Sequence, residues 1–101
     1  SDKDKKIENE EIFQCLTFIQ KQIEIIRPKI ILLMGLTASK AILNSNLNLN
    51  ALRGKWHDYK SFNFNKTIKC LATYHPKDLI KFPKYKKYAW EDLQMFKKKI
   101  I

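Results

Sequence analysis

The run Ile30-Ile31-Leu32-Leu33 is apolar at every position. A strand without alternation is one buried on both faces, as in a parallel sheet with helices above and below. A second apolar run, Ile68 to Tyr74, reads as another buried strand. Helical patterns surround both. Ile12, Leu16, Ile19, Ile23 and Ile26 recur at spacings of four and three, one face of an amphipathic helix that Pro28 ends. Asn9 is its expected N-cap, with Glu10 and Glu11 suiting the positive end. After the first strand, Gly35 turns the chain, Thr37 is placed to cap, and Ala38, Ala41 and Ile42 face a second helix inward. Tyr85, Ala89, Leu93, Phe96 and Ile100 mark the inward face of a last helix, with Pro83 at its start and Lys97, Lys98 and Lys99 in its final turn.

Between these lie Ser45 to Asn50, an asparagine-rich surface loop, and Leu52 to Tyr59, a short strand after a turn. Asn63 to Lys66 reads as another turn. The order is helix, strand, helix, short strand, strand, helix. The expected architecture is α/β: a three-layer α/β/α sandwich with a mostly parallel sheet. Such a domain usually needs more strands, so the chain reads as one domain over residues 1–101 that resembles half of a larger one. Residues 1–8 form a charged lead-in. The chain begins with Ser1 rather than Met, which fits a fragment, a processed chain or a trimmed one.

The chemistry concentrates after the second run. Pro76 cannot donate to a ladder and holds His75 extended. His75 is read as the last strand residue, pointing out where a loop begins. The carboxyl end of an α/β sheet is where ligands bind, and a neutral imidazole there can donate, accept or ligate. A strand-end turn is the bland alternative. Gly35 between strand and helix is either a tight turn or a phosphate cradle.

Charge narrows the partners. Lys and Arg number 20 against 10 Asp and Glu, a net charge of +10. That favours phosphate-rich ligands such as nucleic acid, with an anionic membrane surface as the other class. Nearly all of it is lysine, and with the many Ile and Asn residues part of it reflects an AT-rich composition. The lysines at 84–87 and 97–99 read first as solvated helix faces. No run is long enough to span a bilayer. Two cysteines, Cys15 and Cys70, form no disulfide framework, which points to a reducing, cytoplasmic setting. No CxxC or His-x-x-x-His spacing supports zinc, and no paired-glycine phosphate loop exists.

Five pieces in order carry a resemblance: Phe18 to Ile31, Gly35 to Ala41, Leu52-Arg53-Gly54-Lys55-Trp56-His57, Thr73-Tyr74-His75-Pro76, and Ala89-Trp90-Glu91-Asp92-Leu93. Together they resemble the C-terminal half of a family 4 uracil-DNA glycosylase, the iron–sulfur type, over about residues 8–97. The resemblance implies base-excision repair: hydrolysis of the N-glycosidic bond of uracil in DNA after base flipping. It implies that His75 is the catalytic motif histidine, holding a uracil oxygen as charge develops on the leaving base. It places Lys77 near a phosphate and Leu79 where related enzymes carry an apolar wedge. Leu79 as an anchor for its own loop is the alternative. Arg53 and Lys55 become DNA-backbone contacts, and His57 remains a structural or surface residue.

The resemblance also implies a [4Fe–4S] cluster, with Cys15 at the position of its fourth ligand. The other three cysteines of the family lie upstream, and Ser1 to Gln14 holds none. Cys15 then reads more simply as a small buried hydrophobe. The family's glycine-rich motif, stacking aromatic and uracil-reading Asn also lie upstream. The segment alone is therefore expected to bind no cluster and to be inactive, with uracil-containing DNA and a missing N-terminal segment as partners, no membrane, and a monomeric state. A non-catalytic basic DNA-binding or interaction remnant is the alternative. A degraded gene product without function is a third.

Overall fold

The computed structural model describes residues 2–61 and 65–100. Helices α1 (Asp2–Ile26), α2 (Leu36–Leu43), α3 (Leu49–Leu52), α4 (Pro76–Lys81) and α5 (Lys86–Ile100) surround strands β1 (Ile30–Met34), β2 (Trp56–Lys60) and β3 (Thr67–Thr73). A single 3-10 turn, Pro83–Tyr85, leads into α5. The strand order is β1-β3-β2. β1 runs parallel to β3, with Leu32 opposite Leu71, and β2 runs antiparallel, with Trp56 opposite Leu71. The sheet is therefore mixed, with one parallel and one antiparallel pairing, where the sequence pointed to a mostly parallel one. The turn expected over residues 63–66 lies partly outside the described residues.

Alternation along the strands sorts the side chains onto two faces. Leu33, Ile68 and Cys70 meet Ile23 of α1 and Ile42 of α2 in one core, with Leu16, Ile19, Ile31, Ala38 and Tyr59 packed around it. The other face carries Leu32, Leu71 and Trp56, and α5 lies on it, with Phe96 stacked on Trp56 at 6.1 Å. Helices on both faces make the three-layer sandwich. A second core closes the end of the sheet, where Leu49 and Leu52 of α3 pack on Ala72 and Tyr74 with Leu79, Tyr85 and Tyr88 beside them.

Four local expectations are corrected. The charged lead-in is helical from Asp2 onward, so Asn9 lies inside α1 and caps nothing. Lys and Glu are good helix formers, and Asp2 and Asp4 suit a positive helix end, so the helix extends beyond its apolar stripe. Thr37 lies within α2, whose N-cap is Gly35 without a side-chain hydrogen bond. The asparagine-rich loop is interrupted by α3, capped by Asn48, whose Oδ1 accepts from the Ala51 N–H at 3.0 Å. On α5 the inward residues are Ala89, Asp92 and Phe96, while Leu93 and Ile100 face outward.

Candidate functional site

Because β1 and β3 are parallel and β2 is antiparallel, three connections meet at one end of the sheet. These are Gly35 after β1, His75 after β3, and the Arg53-Gly54-Lys55 turn before β2. Each is fixed by a different device.

Gly35 is buried with φ +95°, a conformation that L side chains avoid. Its N–H donates to the Thr73 carbonyl at 2.8 Å, and its own carbonyl accepts from the Ser39 hydroxyl at 2.7 Å. A Cβ built there would stand 3.1 Å from His75 Cβ. The missing side chain is what lets His75 settle against the β1–α2 turn.

His75 is not the last strand residue. β3 ends at Thr73, and His75 is the N-cap of α4, with extended backbone at φ −72° and ψ 148°. Pro76 occupies the first helical position, where its missing N–H leaves nothing unsatisfied. The cap is reciprocal. The Lys77 N–H donates to His75 Nδ1 at 3.0 Å, and the His75 N–H donates to Asp78 Oδ2 at 3.0 Å. A backbone N–H can only donate, so Nδ1 accepts, and the neutral ring carries its proton on Nε2. The half-buried imidazole is thus a donor of fixed tautomer at the carboxyl end of the sheet.

The third device is a clamp. Asp92 is fully buried on α5. Arg53 meets it through two bonds, Nε to Oδ2 at 2.9 Å and Nη2 to Oδ1 at 2.6 Å, and Thr73 Oγ1 donates to Oδ2 at 2.7 Å. The guanidinium lies 5.1 Å from the Tyr88 ring centroid, and the bond to Asp92 pushes its pKa up. Arg53, expected on the DNA backbone, is turned inward and joins the turn to β3 and α5. Lys55 and Lys77 are exposed. His57 Nε2 donates to the Leu52 carbonyl at 2.8 Å, a structural contact.

Leu79 is half-buried against the Tyr74 core and anchors α4. The next residue, Ile80, is 81% exposed. A cleft of about 220 Å³ opens beside α4, lined among others by Leu36, Asn50, Tyr74, Asp78, Phe82 and Tyr85. Tyr74 and Tyr85 stack at 4.6 Å, and the Tyr74 hydroxyl donates to Asn50 Oδ1. Burial pushes the Tyr74 pKa up. Lysine ammonium groups lie over the neighbouring rings: Lys81 over Phe82, Lys84 over Tyr85, and Lys87 over Tyr88, at 5.0–5.6 Å.

The amino-acid sequence matches the uracil DNA glycosylase superfamily model over residues 3–94. The chain belongs to the uracil-DNA glycosylase superfamily. It is 32% identical over 98 residues to the type-4 uracil-DNA glycosylase of Sulfurisphaera tokodaii, covering 93% of this chain and 44% of that enzyme. It is 29% identical over 94 residues to the type-4 uracil-DNA glycosylase of Saccharolobus solfataricus, covering 89% of this chain and 43% of that enzyme. The chain thus spans less than half the length of these curated relatives, as a partial family 4 glycosylase does.

A [4Fe–4S] cluster takes four thiolates, and this chain has two cysteines. Cys15 is half-buried on α1, and burial pushes its pKa up. Cys70 is sealed in the core, its thiol 3.8 Å from the Ile68 carbonyl and its pKa pushed up to about 11. Among the described residues no three His, Cys, Asp or Glu side chains gather as a metal site. The residues present do not fit the cluster. No helix among the described residues is long and apolar enough to cross a membrane.

The sequence reading missed Thr73 and Asp92. Their signal was an acid one helical turn after the inward Ala89, in a chain with only two arginines.

Proposed function

We propose that this chain supplies the leaving-group side of a uracil-DNA glycosylase. The supporting observation is the tautomer of His75. With Nδ1 occupied by the Lys77 N–H, Nε2–H is left to donate. When the bond between the deoxyribose and N1 of a flipped-out uracil breaks, the electron pair goes to the base, and its oxygens gain negative charge. A hydrogen bond that strengthens as this charge grows lowers the barrier, because the donor is positioned before reaction. Gly35 sets the ring's position and Asp78 its backbone; neither touches the base in this reading.

The same end of the sheet carries the DNA contacts of the reading. Lys77 and Lys55 face phosphates as point charges. Leu79 anchors α4, and Ile80 is the apolar side chain free to enter the space a flipped base leaves. Arg53 acts through position alone, holding the turn that carries Lys55.

The test is a chimera in which this chain replaces the segment it matches in the Sulfurisphaera tokodaii enzyme. Single-turnover release of uracil from DNA is measured for the chimera and its His75→Ala variant. Loss of one such donor lowers the rate on the order of a hundred- to a thousandfold, with DNA binding kept. Equal rates would refute the assignment.

A second reading, binding without catalysis, is favoured by the alternation of Lys81, Lys84 and Lys87 with Phe82, Tyr85 and Tyr88. Cations and stacking faces in one strip suit a single strand of nucleic acid. For the chain alone, affinity for a DNA oligonucleotide then falls steeply with added salt. Salt-independent affinity would count against it.

A further inference from the structure

Helix α1 turns Leu16, Ile19 and Ile23 to the core. A second set of residues runs along its outer side at alternating spacings of four and three: Ile7, Glu11, Gln14, Phe18, Lys21 and Ile25. All six are exposed, the apolar three at 46% for Ile7, 64% for Phe18 and 73% for Ile25. The spacing is that of a heptad seam, the strip by which one helix meets another. From Ile7 to Ile25 the strip runs about 27 Å along the helix, about five turns. The core of this chain does not use it.

The strip is complementary to its own reverse. Laid antiparallel against a second copy and centred on Leu16, Ile7 meets Ile25 of the second copy, Glu11 meets Lys21, and Gln14 meets Phe18. Each contact then occurs twice, as a two-fold axis requires. Parallel pairing in register would set Glu11 against Glu11 and Lys21 against Lys21, so the charged members choose the orientation. Charge also selects this helix over the others. The chain carries +10, which opposes self-association over most of its surface. α5 exposes Trp90, Leu93 and Ile100, but it has five lysines against two acids. α1 has six acids against four lysines. Two copies therefore approach with least repulsion through α1.

We infer that α1 is a self-recognition surface, through which two copies of this chain pair along an antiparallel two-helix seam. Removing Ile7, Phe18 and Ile25 from water drives the association, and Glu11 with Lys21 sets its direction and register. One helix pair makes a small interface, so the dimer is reversible and its fraction rises with concentration. None of the six residues takes part in the catalytic reading, so the two stand or fall separately.

Sedimentation velocity of the full chain, from micromolar to millimolar concentration, provides the test. The native chain shifts from monomer to dimer as its concentration rises. Glu11→Lys and Lys21→Glu each set like charges opposite one another twice per dimer, and each weakens dimerisation on the order of tenfold or more. Both positions are exposed, so the single variants keep the native circular dichroism spectrum. The double variant, Glu11→Lys with Lys21→Glu, regains complementarity and dimerises as the native chain does. An equimolar mixture of the two single variants forms a mixed dimer for the same reason. A native chain that stays monomeric throughout would overturn the inference. So would single variants that dimerise undiminished, or a double variant that does not recover.

Discussion

Asp92 and Leu93 are neighbours on α5 and have exchanged the places their chemistry suggests. The carboxylate is fully buried and the leucine is 43% exposed. Toward β2 and the Arg53 turn, the helix is closed by a bidentate ion pair, a hydroxyl and an aromatic stack. Its flank of Trp90, Leu93 and Ile100 is exposed apolar surface. The difference teaches that burial here follows the available partners. A charge with three donors is held inside, while the leucine beside it stays partly in water.

The sharpest way to break the contrast is Asp92→Ala. It leaves a half-buried guanidinium and the Thr73 hydroxyl without their acceptor, and should cost about 3–5 kcal/mol in urea unfolding. Leu93→Glu, one residue on, should change the stability of the lone chain by less than about 0.5 kcal/mol, as for other surface sites. Equal effects at the two positions would erase the distinction.

Gly35→Ala tests whether the His75 end is as tightly specified as the clamp. A strained φ and a Cβ 3.1 Å from His75 should cost about 1–3 kcal/mol and shift the imidazole resonances in NMR spectra. Cys70 gives the closed core a pH signature. Burial holds its folded pKa at about 11, above the ordinary 9.0, so the unfolded chain ionises first. Stability is complete below pH 9 and falls by about 2–3 kcal/mol as pH rises toward 11. Urea unfolding at pH 8 and pH 10.5 should show this loss, and Cys70→Ala should flatten it. The smallest effect belongs to the exposed pair of Lys69 and Asp58, 2.5 Å apart across β2 and β3. Lys69→Ala should cost under about 1 kcal/mol, and less in salt.

The α/β layering and the place of His75 at the end of the sheet were legible because each rests on a local pattern. Apolar runs at Ile30 and Ile68 gave strands, and Pro76 marked His75 as a position of fixed geometry. The inward face of α5 was not legible. Periodicity admits two adjacent stripes, one through Leu93 and one through Asp92, and only the distant Arg53 and Thr73 decide between them. The direction of β2 depends on pairing with β3 and leaves no trace in a five-residue strand. Helix α4 was hidden because its cap is a histidine, whose ring nitrogen does what a serine oxygen usually does. Arg53 looked like a DNA contact by its charge, and its true neighbour lies 39 residues away.

That histidine cap joins two properties usually treated apart. The Lys77 amide that begins a six-residue helix also dictates where the imidazole keeps its hydrogen. Whenever α4 frays, the ring regains the freedom to place its hydrogen on either nitrogen, and Nε2 can then present a lone pair in place of a donor. Local order in one short turn therefore governs which ring nitrogen can donate, and changes at Asp78 should reach the imidazole through the cap alone.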